Sequence, residues 1–342
     1  MNAVASSLIN GLLAVRPLAK FAKYKARNMM MDRAEGLGIY WRNEVKVLEA
    51  RGREGEKGVA PVWEEELGAI ANPHITYPPY YTTSFHAYDE GNLGWLPAME
   101  VDVAARAVHA RIWPEGDERA GIRGDESLRQ SYHKVLKETL LNAPNSSDPK
   151  NIIDLGASAG RSTFALQETF PAAQLTGVDL SAYFLTVAQH AEAEAQRNDP
   201  TKKASVQWVH AAAEDTGLPN DSADLISACL VFHELPTSAA HDILAEAYRL
   251  VRPGGYFAIM DMNPQSEVYG KMPPYILTLL KSTEPYLDQY FALDMSEAFQ
   301  KAGFNKPQIV FNSPRHRTII GQKNIGQKKE PDSAKPEGSM ND

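Results

Sequence analysis

The sequence predicts an α/β protein built on a doubly wound sheet of seven strands, six parallel and one antiparallel, over residues 151–323. Three observations carry this. After residue 150, short apolar runs alternate with helical stretches, the pattern of parallel strands joined by helical crossovers. The first run ends in a turn of small residues, Gly156-Ala157-Ser158-Ala159-Gly160, that opens a helix. The last two runs are joined by a short turn around Ser313-Pro314, too short for a crossover, so they must pair antiparallel.

In chain order, strands are expected at Ile152–Leu155, Gln174–Val178, Val206–His210, Asp224–Cys229, Tyr256–Met260, Gln308–Phe311 and Thr318–Ile320. Helices are expected at Arg161–Thr169, Ala182–Gln196, Ser238–Leu250 and Met295–Ala302. Residues 1–150 form a different region, a mainly helical and aromatic-rich cap. There Met30, Ala34, Leu37, Trp41, Val45 and Leu48 recur at three- and four-residue steps, which predicts one amphipathic helix from Met30 to Glu49. Arg51 to Gly58 is a linker. Asn72 to Trp95 holds Tyr77, Tyr80, Tyr81, Phe85, Tyr88 and Trp95 among prolines and glycines, too many of them for regular structure. Val101 to Ile112 is helical, and Asp125 is placed to cap a helix carrying Leu128, Tyr132, Val135, Leu136 and Leu140. Polar Asn142 to Lys150 marks the boundary to the sheet. From Asn324 onward the chain is charged and without large apolar clusters, so residues 324–342 are expected to be a disordered tail.

Composition removes several classes. With 43% hydrophobic and 23% charged residues, the chain has the balance of a globular protein. A net charge of -8 without a large Lys/Arg field argues against a nucleic-acid partner. The single cysteine, Cys229, allows neither an internal disulfide nor a cysteine-built zinc site, and no metal-ligand cluster is visible. The basic first 31 residues carry Arg16, Lys20, Lys23, Lys25 and Arg27 and no acid, with Val4, Leu8, Leu12 and Val15 on one helical face. Ala3 to Val15 is too short to span a bilayer, which needs about 20 residues. A helix packed on the body, a membrane-surface helix over residues 1–31 and an organelle transit peptide are the three readings. A cytoplasmic location is expected, with peripheral membrane contact or a plastid as alternatives.

The chemistry concentrates at the carboxyl edge of the predicted sheet, where open α/β sheets bind ligands. Asp154 and the turn through Gly156, Ala157, Ser158 and Gly160 let a ligand approach the backbone and offer the free N–H groups of a helix start. The second strand ends in Asp179-Leu180, where an acid can accept both hydroxyls of a ribose. Together these point to an adenosine nucleoside without saying which one. A nicotinamide oxidoreductase uses the same device, and Asp179 as a plain helix cap is the alternative.

Further along stand Glu214-Asp215-Thr216-Gly217-Leu218-Pro219, then Asp224-Leu225-Ile226-Ser227, then Leu250-Val251-Arg252-Pro253-Gly254-Gly255. In this order and spacing the motifs resemble the class I S-adenosylmethionine-dependent methyltransferases, with their Rossmann-like fold, in particular the small-molecule, type 11-like group that includes quinone methyltransferases. The resemblance covers about half the chain. It implies S-adenosyl-L-methionine as cofactor, its methionine portion near Asp154 and Gly156 to Gly160, its ribose on Asp179 and its adenine beside Glu214 or Asp215. The family's middle glycine is Ser158 here, and its hydroxyl is a possible cofactor contact. A nicotinamide enzyme explains neither the Leu218-Pro219 loop nor the Arg-Pro-Gly-Gly turn. A cofactor-binding regulatory or assembly protein without catalysis is the second reading.

For the acceptor, His233 and Glu234 after the fourth strand could remove a proton from a phenol, enol or carbon acid, or they could order the loop. The Asn/Asp-Pro-Pro-aromatic motif of many amino-nitrogen methyltransferases is absent, which lowers those options without excluding other nitrogen acceptors; transfer onto an oxygen or carbon is the expectation. The segment Phe85 to Trp95 resembles poorly characterised methyltransferase-like proteins of cyanobacteria and plant plastids. The aromatic segment from Tyr77 to Trp95 is expected to form the acceptor's lid, and Phe85, His86, Tyr88 and Trp95, with Tyr132, Tyr286 and Tyr290, are the expected walls for a flat or amphipathic small-molecule acceptor. Glu284 is a further wall candidate.

Overall fold

The computed structural model describes residues 16–52, 58–83, 88–142, 147–200 and 205–325. Phe85, His86, the first 15 residues and nearly all of the expected tail lie outside the described residues.

Seven strands form one sheet: β1 (Asn151–Leu155), β2 (Gln174–Asp179), β3 (Gln207–His210), β4 (Ala223–Cys229), β5 (Val251–Met262), β6 (Gln308–Phe311) and β7 (His316–Gln322). Their spatial order is β3-β2-β1-β4-β5-β7-β6. β7 pairs antiparallel with both β5 and β6, so it alone is reversed, as the short turn at Ser313-Pro314 requires. The chain leaves β1 toward β2 and β3, then returns to place β4 on the other flank of β1. That reversal opens a crevice at the carboxyl ends of β1 and β4, beside β2, the location where such sheets bind ligands. β5 begins at Val251, earlier than the apolar run suggests, because Arg252 to Gly255 enter the strand through a register shift against β4.

In the first 150 residues, helices run over α1 (Arg16–Glu35), α2 (Trp41–Ala50), α3 (Val62–Ile70), α4 (Trp95–His109) and α5 (Gly124–Leu141). The single helix expected from Met30 to Glu49 is two helices. The chain turns at Gly36 to Tyr40, and Gly38 takes a left-handed φ of 84° that a continuing helix cannot hold. The apolar periodicity survives the break because Met31, Ala34, Ile39, Trp41 and Val45 all face one small core with Trp63, Ala98, Met99 and Val103. Arg27 on α1 pairs with the buried Glu100, so this end of the basic helix is packed on the cap. Asp125 does not cap α5 with its side chain; it serves a buried ion network described below. No helix among the described residues is long and apolar enough to cross a membrane.

The sheet is covered by α6 (Arg161–Thr169), α7 (Ala182–Asn198) and α8 (Thr237–Leu250), followed by α9 (Glu267–Gly270), α10 (Pro274–Thr283), α11 (Leu287–Ala292) and α12 (Met295–Ala302). One face of the sheet packs against α8, α11 and α12 through Ile226, Phe257, Ile259, Leu244, Leu287 and Phe299. The other packs against α5 and α6 through Leu128, Tyr132, Leu136, Leu166, Leu225 and Met260. The cap core reaches the carboxyl edge itself, where it includes Ala159 of the first turn and Phe184 and Val187 of α7.

Candidate functional site at the carboxyl edge

After β1 the backbone takes left-handed φ values at Gly156 (73°), Ser158 (50°) and Gly160 (87°). At Gly156 both conformation and space demand glycine, since a Cβ would stand 2.5 Å from a Val231 methyl. Ser158 is a serine in a conformation suited to glycine. Its N–H donates to Asp179 Oδ2 at 2.8 Å, and its Oγ is buried with no hydrogen-bond partner among the described residues. Beneath the turn, Asp154 Oδ2 accepts the hydroxyls of Ser162 and Thr163 at 2.6 and 2.7 Å. Asp154 is fully buried, which raises its pKa against the pull of those two hydroxyls. It fastens β1 to the first turn of α6 and sets the shape of the loop.

Asp179 ends β2. Its Oδ1 accepts the Ser181 N–H at 2.8 Å and its Oδ2 that of Ser158, and the Tyr81 hydroxyl is a third partner, which leaves the carboxylate capacity for one further donor while Tyr81 is in place. Burial pushes its carboxyl up to about 6, against the lowering effect of these backbone donors. Ser181 Oγ caps α7 by accepting the Phe184 N–H, so α7 does not depend on Asp179 for a side-chain cap. Leu180 is buried behind the edge, its carbonyl 3.0 Å from His210 Nε2. Beyond β3 the two adjacent acids part. Glu214 turns inward and accepts the Tyr80 hydroxyl, while Asp215 is exposed.

At the ends of β4 and β5 stands a pair of which the sequence reading recognised only one member. His233, in a short 3₁₀ turn from Phe232 to Glu234, lies with Nδ1 2.7 Å from Asp261 Oδ1. Asp261 is fully buried and also accepts the backbone N–H of His233 at 3.2 Å and of Met262 at 2.6 Å. Burial alone would depress the imidazole. The Asp261 charge and hydrogen bond, with Glu284 and Glu234 beyond, outweigh it and raise His233 to about 10. The Nε2 edge is 4.0 Å from Glu234. An acid inside the apolar run of β5 was the available signal, because a fully buried carboxylate needs a partner.

The expected acceptor walls are dispersed. Tyr88 donates to Glu100 at 2.7 Å inside the cap. Trp95 donates to Glu64 at 2.6 Å and packs edge-on against Tyr183. Tyr132 is buried under the sheet, 3.0 Å from Ser227 Oγ, and Tyr290 is buried with its hydroxyl on the Met262 carbonyl at 2.8 Å. These four are framework residues: each ring packs a large apolar area within the fold, and each polar tip is hydrogen-bonded, to exposed Glu64 for Trp95 and to buried partners for the other three. Tyr286 remains near the edge, its ring 6.3 Å from that of Tyr80. Cys229 is a buried strand residue beside Arg129 Nη1 at 3.3 Å, and burial pushes its thiol up to about 12. Tyr80 and Tyr81, part of the segment expected as the acceptor's lid, sit against the strand-end acids.

This strand order with one reversed strand, the glycine-serine-glycine turn after β1 and the acid ending β2 are features of the class I S-adenosylmethionine-dependent methyltransferases, and the comparisons support that class. Residues 153–259 match the family model described as a methyltransferase domain. An uncharacterised methyltransferase of Synechocystis is 25% identical over 175 residues, covering 51% of this chain and 74% of that protein. A trans-aconitate 2-methyltransferase of Azoarcus is 36% identical over 126 residues, covering 37% of this chain but only 44% of its own length. A solved S-adenosylmethionine-dependent methyltransferase from Aquifex aeolicus is 20% identical, with a TM-score of 0.40 over 56% of this chain and 91% of that one. The cofactor of the family is S-adenosylmethionine. The left-handed turn, the unpartnered buried Ser158 Oγ and the spare acceptor capacity of Asp179 fit such a group.

Proposed function

We propose that the protein transfers a methyl group from S-adenosylmethionine to an oxygen or carbon of a small acceptor that carries an acidic oxygen. The observation that carries this reading is the His233–Asp261 pair at the strand ends, close to the turn and acids suited to the cofactor. The bound cofactor supplies an electrophilic methyl group on its sulfonium. Asp179 would accept the ribose hydroxyls, the backbone from Gly156 to Gly160 would receive the methionine portion, and Glu214 would lie beside the adenine.

The raised pKa of His233 changes the role first expected of it. An imidazolium held by Asp261 is a poor base near neutral pH, but its Nε2–H is a good donor to a carboxylate, phenolate or enolate oxygen. Such a donor favours the ionised form of the acceptor, whose proton is given up to solvent on binding, so no protein base need remove it at the transfer step. Holding that oxygen in line with the methyl then supplies much of the rate by positioning. Glu234 and Tyr286 would border the acceptor, with Glu284 behind His233. The name of the Azoarcus relative, a trans-aconitate methyltransferase, is in keeping with an acidic acceptor.

The test is untargeted metabolite profiling with the purified protein and methyl-labelled S-adenosylmethionine. Label is expected on an acidic metabolite, at oxygen or carbon. Label on a basic nitrogen would sink the acidic-oxygen reading. Cofactor binding without any labelled product would favour the regulatory alternative.

A further inference from the structure

The arm between α3 and α4 crosses the carboxyl edge. The backbone N–H of Asn72 donates to His210 Nδ1 at 2.8 Å, and Tyr77 lies with its ring 6.3 Å from that of His210. On the far side of the arm, the Asn92 carbonyl accepts Ser181 Oγ at 2.7 Å. Between these two attachments, a turn closed by Tyr81 N–H to Pro78 carbonyl points two adjacent tyrosines at the sheet. Tyr80 donates its hydroxyl to Glu214, and the Tyr81 hydroxyl is a hydrogen-bond partner of Asp179. The rings brace each other, Tyr77 stacking on Tyr81 at 6.3 Å and Tyr81 meeting Tyr80 edge-on at 6.4 Å. Two clefts of about 520 and 500 Å³ lie elsewhere, one between α8, α11 and α12 and the other at the opposite end of β1 and β2; neither is lined by Asp179 or Glu214.

The two acids that these phenols engage are the ones suited to adenosine. We propose that Tyr80 and Tyr81 form a gate over the adenosine subsite, their hydroxyls standing in for the ribose and adenine donors until the cofactor displaces them. The inference rests on the cofactor reading above. Both hydroxyls are held protonated, chiefly by burial, so they act as donors to the carboxylates as the cofactor's own groups would. A cofactor that must break these bonds gains less on binding than the same acids would give it unoccupied, so the gate costs affinity and slows entry. Tyr80 also touches Tyr286 at 6.3 Å. Its displacement therefore alters the acceptor border, which makes the cofactor the first ligand to bind.

Two measurements on the full chain decide it. Titration calorimetry with S-adenosylhomocysteine compares the parent with the Tyr80→Phe/Tyr81→Phe variant, which keeps both rings and removes only the hydroxyls. The variant should bind at least about tenfold tighter, because two hydroxyl-to-carboxylate hydrogen bonds no longer compete and water recovers only part of them. Hydrogen exchange of the parent, which needs no variant, should show faster exchange over residues 72–83 when the ligand is added. Equal or weaker binding by the variant, or slower exchange in that segment, would mean that the tyrosines clamp the ligand or merely pack, and the gate is overturned. No heat from either protein would instead remove the cofactor reading itself, and the gate with it.

Discussion

The imidazole of His233 and the carboxylate of Asp261 lie 2.7 Å apart across neighbouring strand ends, both almost wholly enclosed by protein. Each explains the other. Asp261 could not remain ionised in an apolar strand without a cation, and His233 could not remain protonated there without the carboxylate.

Asp261→Asn should therefore bring the His233 pKa down toward or below its ordinary value, measurable by NMR titration of the ring. Unfolding free energy should fall by about 3–5 kcal/mol, because one partner of a buried pair is lost. The sign in the parent follows from both shifts. His233 is raised, so its contribution is full below 6.5 and disappears as pH rises through about 10. Asp261 is lowered, so its contribution holds above 3.8 and disappears in acid. An unchanged ring pKa in the variant would show that the pair does not govern His233.

Asp179→Ala should weaken S-adenosylhomocysteine binding by about one to two powers of ten, since hydrogen bonds to a charged group are worth about 1.5–3 kcal/mol each and water recovers part. Affinity within a factor of two of the parent, in a folded variant, would leave Asp179 as a brace for Ser158 and Ser181 alone.

The same residue sets a pH dependence. Its carboxyl is raised to about 6, and the ribose hydroxyls need the ionised form as acceptor. Binding of S-adenosylhomocysteine should be level above pH 7 and fall through the region around pH 6 in the parent. Calorimetry across pH 5–8 reads this directly, and a flat profile would count against Asp179 as the ribose acceptor.

Ser158→Gly should raise the melting temperature by about 2 °C. A serine at a φ of 50° carries about 1 kcal/mol of left-handed strain, partly offset by the greater freedom of glycine in the unfolded chain. If the variant also binds S-adenosylhomocysteine less tightly, the unpartnered Oγ is a cofactor contact and the strain serves binding.

Asp125→Ala tests the join between cap and sheet. Asp125 is buried and takes His109 Nδ1 at 2.6 Å, Arg129 Nε at 3.1 Å and Arg161. Arg129, His109 and Arg161 hold its carboxyl well below the usual range in spite of burial. Removing it strands the buried Arg129 and should cost about 3–5 kcal/mol in denaturant unfolding. In the parent this contribution is present above the ordinary carboxylate range and is lost as pH falls below it. A loss under 1 kcal/mol would show that the cluster is held together by its surroundings.

The sheet was legible because its signals are local. Gln308–Phe311 is the strand that the residues predict, and the antiparallel pairing of β6 with β7 followed from the length of one turn. The turn after β1 and the acid after β2 were legible for the same reason. Local reading also misled where two elements share one face. Met31, Ala34, Trp41 and Val45 keep helical spacing across a break that only Gly36 and Gly38 disclose. Asp261 was missed, and the acid partners of the tyrosine pair were not legible, because their meaning lies in partners 28 to 134 positions away, which no periodicity encodes. Tyr88 and Trp95 look the same in sequence as Tyr80 and Tyr81, and only the fold separates framework rings from those against the acids.

The position of α5 has a practical consequence for dividing this chain. Leu128, Tyr132 and Leu136 are inside the layer that covers one face of the sheet, and Arg129 reaches Cys229 at the end of β4. A fragment trimmed to the family match at 153–259 would lack this layer, β6 and β7. Cut at residue 150, the chain would bare the Leu225–Met260 face to water and invite aggregation. A viable excision would start upstream of Gly121 and keep the strands through Gln322. What looks in sequence like the end of an accessory region is, in three dimensions, part of the catalytic domain's own wall.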